Sequence, residues 1–407
     1  MNPACPGRFG SSPISHPSFS RRSFGAIDAR RGPRAMAART SLAAAALCVV
    51  LAGCATKEEL PGTPRQDLST GQIVQLLPSA LQDRAGWAAD IDAAFVTQGI
   101  AASSENVCAV LAITEQESGF RADPSVPGLG QIAWREIDNR AERAGVPKLA
   151  VRAALQLTSP DGRTYSERID AVKTERELSE IYEDFIAGVP LGTRLFARLN
   201  PVRTGGPMQV GISFAEAHVS AHPYPYPVNG SIRREVFTRR GGMYFGIAHL
   251  LGYEAPYPEP LYRFADFNAG QYASRNAAFQ SALSRLSGIP LALDGDLLPP
   301  GSHAGDAAGE TERAALAISR RLDLGQASIR KDLERGDEQS FERTRLYERV
   351  IAQADQVEGR RVARAVVPAI TLKSPKFTRK LTTEWFARRV DERYRRCLSR
   401  ISSQSGG

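Results

Sequence analysis

Almost every periodic stretch of this chain repeats its apolar residues at a helical interval, and strand-like alternation is scarce. That pattern restricts the chain to a mainly α fold. Leu178, Ile181, Tyr182, Phe185 and Ile186 follow Thr174-x-x-Glu177 at helical spacing, and Gly188 and Pro190 end the element. Breaker-rich loops are expected at 201–207 and at Pro223 to Pro227. Residues 294–309 are rich in Gly, Asp and Pro, so 291–310 reads as a linker, with a basic helical region over 311–407. No period of 20 to 50 residues repeats, which excludes a solenoid.

The front of the chain limits where it works. Leu42 to Ala52 is a run of 11 uncharged residues. A membrane-spanning helix needs about 20, whereas a signal-peptide core is this short. Arg39 precedes it, and residues 1–35 have a composition that does not pack. We read 1–53 as a signal peptide with an over-called start, translation beginning at Met36. A core helix with a buried cysteine is the other reading. Leu51-Ala52-Gly53-Cys54 resembles a bacterial lipoprotein processing box. That resemblance implies that Cys54 is lipidated and becomes the first residue, with 54–68 as a lipidated tether. Ala55 in place of aspartate resembles the sorting pattern for the outer membrane, periplasmic face. Such a compartment makes nucleic acid an improbable partner.

From Cys54 the chain has 354 residues, enough for one large or two ordinary domains. The net charge of +8 is most visible after Thr311. It fits a solvated helical face, or attraction to an anionic polymer or membrane surface. Beyond Cys54 only Cys108 and Cys397 remain, as a disulfide in an oxidising compartment or as two free buried thiols. No CxxC or combined Cys/His metal spacing occurs, nor a cofactor motif, so neither metal nor cofactor is expected.

Chemistry concentrates in Ser104 to Phe120. Ser104 is a plausible N-cap, and Val107, Val110, Leu111, Thr114 and Ser118 share one helical stripe. Glu117 lies roughly 70° from that stripe's centre at about 100° per residue, at the edge of the buried face. Glu115 falls on the other, wetter side. Gly119 is a C-cap candidate. A half-buried carboxyl at a helix C-terminus faces desolvation and the negative end of the dipole, which together favour the protonated form a general acid needs. An ordinary surface glutamate is the other reading.

Ile-Thr-Glu-Gln-Glu-Ser-Gly-Phe resembles the Glu-Ser motif of the soluble lytic transglycosylases, which share the goose-type lysozyme fold. Gly206-Pro207-Met208-Gln209 resembles that family's Gly-x-Met-Gln turn, and Phe267-Asn268-Ala269-Gly270 its aromatic-Asn-Ala-Gly motif. Gly242 to Leu251 resembles its long core helix. The whole chain also resembles a group of proteobacterial lipoproteins of unknown function. The transglycosylase resemblance implies a lysozyme-like helical domain over 69–290 with a helical insertion at about 135–200 and a helical C-terminal extension. It implies Glu117 as the sole catalytic acid and base, oriented by Ser118. It also implies substrate contacts from Met208, Gln209, Phe267, Asn268 and Gly270, with glycan strands of peptidoglycan as partner. The product would be a 1,6-anhydro sugar.

The match has departures. The family's turn usually follows Glu-Ser closely, where Gly128-Leu129-Gly130-Gln131 stands, without the methionine. Phe267 replaces the usual tyrosine, so its hydroxyl is missing or comes from Tyr262 or Tyr272. Asp123 or Asp266 acting as a second carboxylate would make a hydrolase. Tyr224, Tyr226 and Tyr257 are either sugar-stacking walls or loop packing. His218 and His222 have a zinc-ligand spacing, but Pro223 ends their helix and the metalloprotease glutamate is absent. A non-catalytic peptidoglycan-binding scaffold is the rival to an enzyme.

Overall fold

The computed structural model describes residues 67–405 except 256, 300, 304 and 373–380. The expected signal peptide, Cys54 and nearly all of the tether lie outside the described residues. Within them the chain is mainly helical, with two short antiparallel hairpins, Thr204–Gly205 with Val210–Gly211 and Thr371–Leu372 with Leu381–Thr382. No described helix is long and apolar enough to cross a membrane. Local side-chain chemistry starts many of the helices. Ser69 with Gln72, Thr164 with Glu167 and Thr174 with Glu177 all close capping boxes.

Three apolar clusters organise these helices. The first is built from Arg84–Gln98, Ser104–Glu117, Arg239–Leu251, Pro260–Ala269 and the last helix, Thr383–Ser405. The second joins Ala273–Ser287 to Glu310–Ala317, Gln326–Leu333 and Arg345–Glu358. The third belongs to the insertion and packs Leu129–Arg143 against Tyr165–Ala171 and Glu175–Ala187.

Two expected boundaries differ from this arrangement. The stretch 291–310 is no free linker: Gln280 Nε2 donates to Asp294 Oδ1 at 2.9 Å and to Asp296 O at 3.0 Å, and Leu297 is buried. Nor do residues 311–407 form one extension. Phe386, Val390, Tyr394 and Cys397 make a stripe that fills the first core, so the last helix returns to the beginning. Cys108 and Cys397 form a disulfide with Cα atoms 5.5 Å apart, which fixes that return covalently.

Candidate active site

The Glu117 helix starts at Ser103, not Ser104; the Ser103 hydroxyl accepts from Asn106 N at 3.2 Å. Every residue from Val107 to Thr114 is buried. An all-apolar middle needs neighbours on all sides. The last helix supplies one wall through Cys397, and Arg239–Leu251 another, where Thr114 Oγ1 meets Met243 Sδ at 3.8 Å. Glu115 points outward and pairs with Arg393 at 3.2 Å. Glu117 sits half-buried in the last turn. The Ser118 hydroxyl donates to Thr114 O and accepts from Arg121 N, both at 3.2 Å. It therefore ties the backbone around Glu117 rather than the carboxyl itself.

That turn is unusual. Gly119 and Phe120 both have left-handed backbones, φ 59° and 61°. Such a conformation costs a bulky aromatic about 1–3 kcal/mol and persists only where surroundings enforce it. Here Phe120 is buried edge-on against Trp87, ring centroids 5.7 Å apart.

Gly206-Pro207-Met208-Gln209 is the turn of the first hairpin. Met208 is fully buried over Gly246, and Pro207 lies over Gly242. A side chain at either glycine would run into the turn, so the close approach requires both. Gln209 has φ 51°. Its Nε2 donates to Gly206 O at 3.2 Å and its Oε1 accepts from Thr204 Oγ1 at 3.4 Å, folding the side chain back on its own hairpin. The nearer alternative, Gly128 to Gln131, opens the helix Leu129–Arg143 instead of a hairpin. Gly130 there allows contact with Ile169 O, a packing role, and Gln131 is exposed.

The third motif ends Pro260–Ala269. Gly270 stops the helix with φ 115°, ψ 146°, a region open essentially to glycine alone. Phe267 stands edge-on to His249, centroids 5.1 Å apart. Asn268 Oδ1 accepts from Thr383 Oγ1 at 2.9 Å. Tyr272, two residues past Gly270, is again left-handed at φ 66°.

All three motifs thus rest on one helix, Arg239–Leu251, through Met243, Gly246 and His249. Steps of three residues keep these contacts on one face, spread over about 9 Å of helix length. His249 went unnoticed in the sequence. Its ring lies between Phe214, centroids 4.8 Å away, and Phe267, and its Nδ1 is buried with no hydrogen-bond partner. Burial pushes its pKa down. Thr383 went unnoticed too. The signal for His249 was a lone imidazole in the apolar stretch from Met243 to Leu251; Thr383 gave none.

Other candidates are accounted for by packing. Asp266 is fully buried and accepts from Tyr253 OH (3.1 Å), Tyr257 OH (2.6 Å), Tyr272 N (3.0 Å) and Ser274 N (2.6 Å). Burial raises its pKa against the hydrogen bonds from Tyr257 and Ser274. It holds the turn after Gly270 and is closed to substrate. Asp123 is ion-paired to Arg176 at 2.8 Å. Tyr224 donates to Glu235 at 2.8 Å and stacks on Phe245, Tyr226 bonds Asp90 at 3.5 Å, and Tyr257 serves Asp266, so loop packing is their role. Tyr272 is buried beneath the Arg275 guanidinium. His218 and His222 stack with centroids 4.3 Å apart.

A family model described as "Protein of unknown function (DUF1615)" matches residues 80–400. The chain belongs to this family. It is 51% identical to the uncharacterized protein YaiW of Escherichia coli (strain K12) over 353 residues, which cover 86% of this chain and 95% of that protein. No solved structure matches. The family model's span takes in the three motifs, the insertion and most of the last helix, and so treats them as one unit.

Proposed function

We propose that this protein is a lipid-anchored, outer-membrane enzyme that cleaves the N-acetylmuramic acid to N-acetylglucosamine bond of peptidoglycan, with Glu117 as sole acid and base. One observation carries the reading: three separate sequence motifs meet on one helix face, two of them end in a strained, left-handed non-glycine residue, Phe120 or Gln209, and the third is followed two residues later by another, Tyr272. Strain of this kind gathers at functional sites. The reaction needs a single carboxyl. Protonated Glu117 gives its proton to the glycosidic oxygen as the C1–O bond breaks. The carboxylate then takes the proton of the muramic C6 hydroxyl, whose oxygen closes on C1 as the 1,6-anhydro bond. Atoms balance and no water is consumed. Burial of Asp266 and pairing of Asp123 support this route over a two-carboxylate hydrolysis. A disulfide between Cys108 and Cys397 suits an oxidising compartment.

A second reading has its own support. The amide oxygens of Gln209 and Asn268 are already used inside the protein, so neither is left to hold a sugar for cleavage at Glu117, which suits a non-catalytic peptidoglycan-binding scaffold. Purified sacculi separate the two. The enzyme releases anhydro-muropeptides visible by mass spectrometry, and Glu117→Gln lowers that rate by about 10²–10⁴-fold. Unchanged release by the variant removes Glu117 from the chemistry. Sedimentation with sacculi and no release by either protein leaves the binder.

A further inference from the structure

The insertion, with Leu129 to Ala133 before it and Pro201 and Val202 after it, lines a half-open cavity of about 720 Å³ that the Glu117 chemistry does not use. Its lining is mostly aliphatic, with Ile132, Ile137, Val151, Leu155 and Ile181 among the residues inside. The size and apolar character are those of small-molecule sites, roughly 300–1,000 Å³. The rim is polar but unequal in charge. Glu136 is held by Arg140 at 2.5 Å, and Glu175 is also partnered. Arg135, exposed at the rim, makes no ion pair or hydrogen bond among the described residues. A cation is therefore free at the mouth of an oily cavity.

The surface beside it is oily as well. Of the twelve large apolar side chains left exposed among the described residues, eight lie between Val146 and Leu199. Leu149 is 82% exposed, Leu191 69% and Leu195 61%. The segment carrying Leu195, Phe196 and Leu199 borders the cavity, because Tyr182 and Arg140 of the lining donate to Phe196 O at 2.9 Å and Leu199 O at 2.7 Å. Arg194 and Arg198 alternate with these apolar residues. Such concentration of exposed apolar area marks an interaction site, and the basic-apolar alternation fits a lipid interface.

We infer that the insertion is a lipid-binding module: its cavity takes one long aliphatic chain, and Arg135 meets the anionic head of that lipid. Isothermal titration of the full mature protein with saturated fatty acids of rising length, below their critical micelle concentrations, tests it. Affinity should rise about fourfold per added methylene until the cavity is full. Ala154→Trp, which plugs the lining, should weaken palmitate at least tenfold. Arg135→Glu, an exposed change that leaves the fold alone, should weaken palmitate several-fold and leave hexadecanol unaffected. Comparing palmitate with lysophosphatidylglycerol identifies a free fatty acid or a phospholipid as the source, by whichever binds tighter. Glu117→Gln should bind both as the unaltered protein does, so this test stands apart from the sacculus assay. Affinity independent of chain length, or palmitate binding unmoved by Arg135→Glu, overturns the inference.

Discussion

Removing the Cys108–Cys397 bridge is the sharpest test of the fold. The bond spans a sequence separation of 289 residues, so it constrains most of the unfolded chain. The chain-entropy relation gives about 5–6 kcal/mol for a loop of that size at 25 °C. Residual structure in the denatured state and imperfect transfer of this relation lower the expected loss to about 3–5 kcal/mol. A unit of about 340 residues unfolds with roughly 0.7 kcal/mol/K of entropy, so Tm should fall by about 4–7 °C. The assay is thermal unfolding by circular dichroism of the unaltered protein, Cys397→Ala, Cys108→Ala and the double variant, each with and without reductant. Reductant should lower Tm only in the unaltered protein. The double variant should lose no more than either single change, because both remove one bond. Two titratable thiols in the oxidised native protein, or a Tm indifferent to reductant, would refute the covalent return of the last helix.

Further tests follow from single contacts. Burial, then the neighbouring His222, lowers the His218 pKa to about 4 from an ordinary value near 6.5. The fold therefore prefers the neutral ring; stability is intact above pH 6.5 and lost as pH falls toward 4. Screening at this half-exposed site cuts the loss to about 1–2 kcal/mol. His218→Asn should flatten that slope in urea titrations, and parallel slopes would sink the assignment. Gly246→Val should force the Met208 turn off its helix, costing about 2–4 kcal/mol and abolishing any muropeptide release; a variant as stable as the parent would contradict the packing. Arg275 is 1% exposed and donates to Glu338 O at 2.9 Å and to Gly336 O, and it stands 4.0 Å from Glu342, whose pKa is raised by burial. Arg275→Met should cost about 1–3 kcal/mol by leaving those carbonyls unmet and removing the cation beside a carboxyl that is only 30% exposed, and adding Glu342→Gln should recover part of it. No recovery would mean the carboxyl is not the cause.

What could be read from the sequence was local. Thr174 and Glu177 interact across three residues, so the capping box declares itself without knowledge of the fold. The burial of the stripe Val107, Val110, Leu111 and Thr114 and the outward turn of Glu115 follow from helical periodicity; the burial of Cys108, Ala109, Ala112 and Ile113 between them does not, because it depends on the helices packed around. Partner choice is another matter. The stripe of Phe386, Val390, Tyr394 and Cys397 announces an amphipathic helix, yet nothing in those residues says that its groove lies beside Cys108. For the same reason the Gly- and Pro-rich stretch near 294–309 looked like a linker. Its hydrogen bonds come from Gln280, on a helix whose proximity only the tertiary fold creates.

The candidate site illustrates the limit more sharply. Left-handed backbone at Phe120, Gln209 and Tyr272 is invisible in those side chains; the visible marks are the glycines a few residues before them, Gly119, Gly206 and Gly270, all left-handed themselves. The motifs therefore register first as backbone devices. Ser118 ties its own turn, Gln209 folds onto its own hairpin, and Asn268 is tied to Thr383. Polar groups spent on architecture cannot also be the principal contacts to a sugar. Two groups are left without a protein hydrogen bond among the described residues: the amide nitrogen of Asn268 and, on the shared helix itself, the buried Nδ1 of His249. If glycan binds here, the Asn268 amide nitrogen is the motif group left to meet it, since burial closes Nδ1 of His249 to a sugar as it closes Asp266.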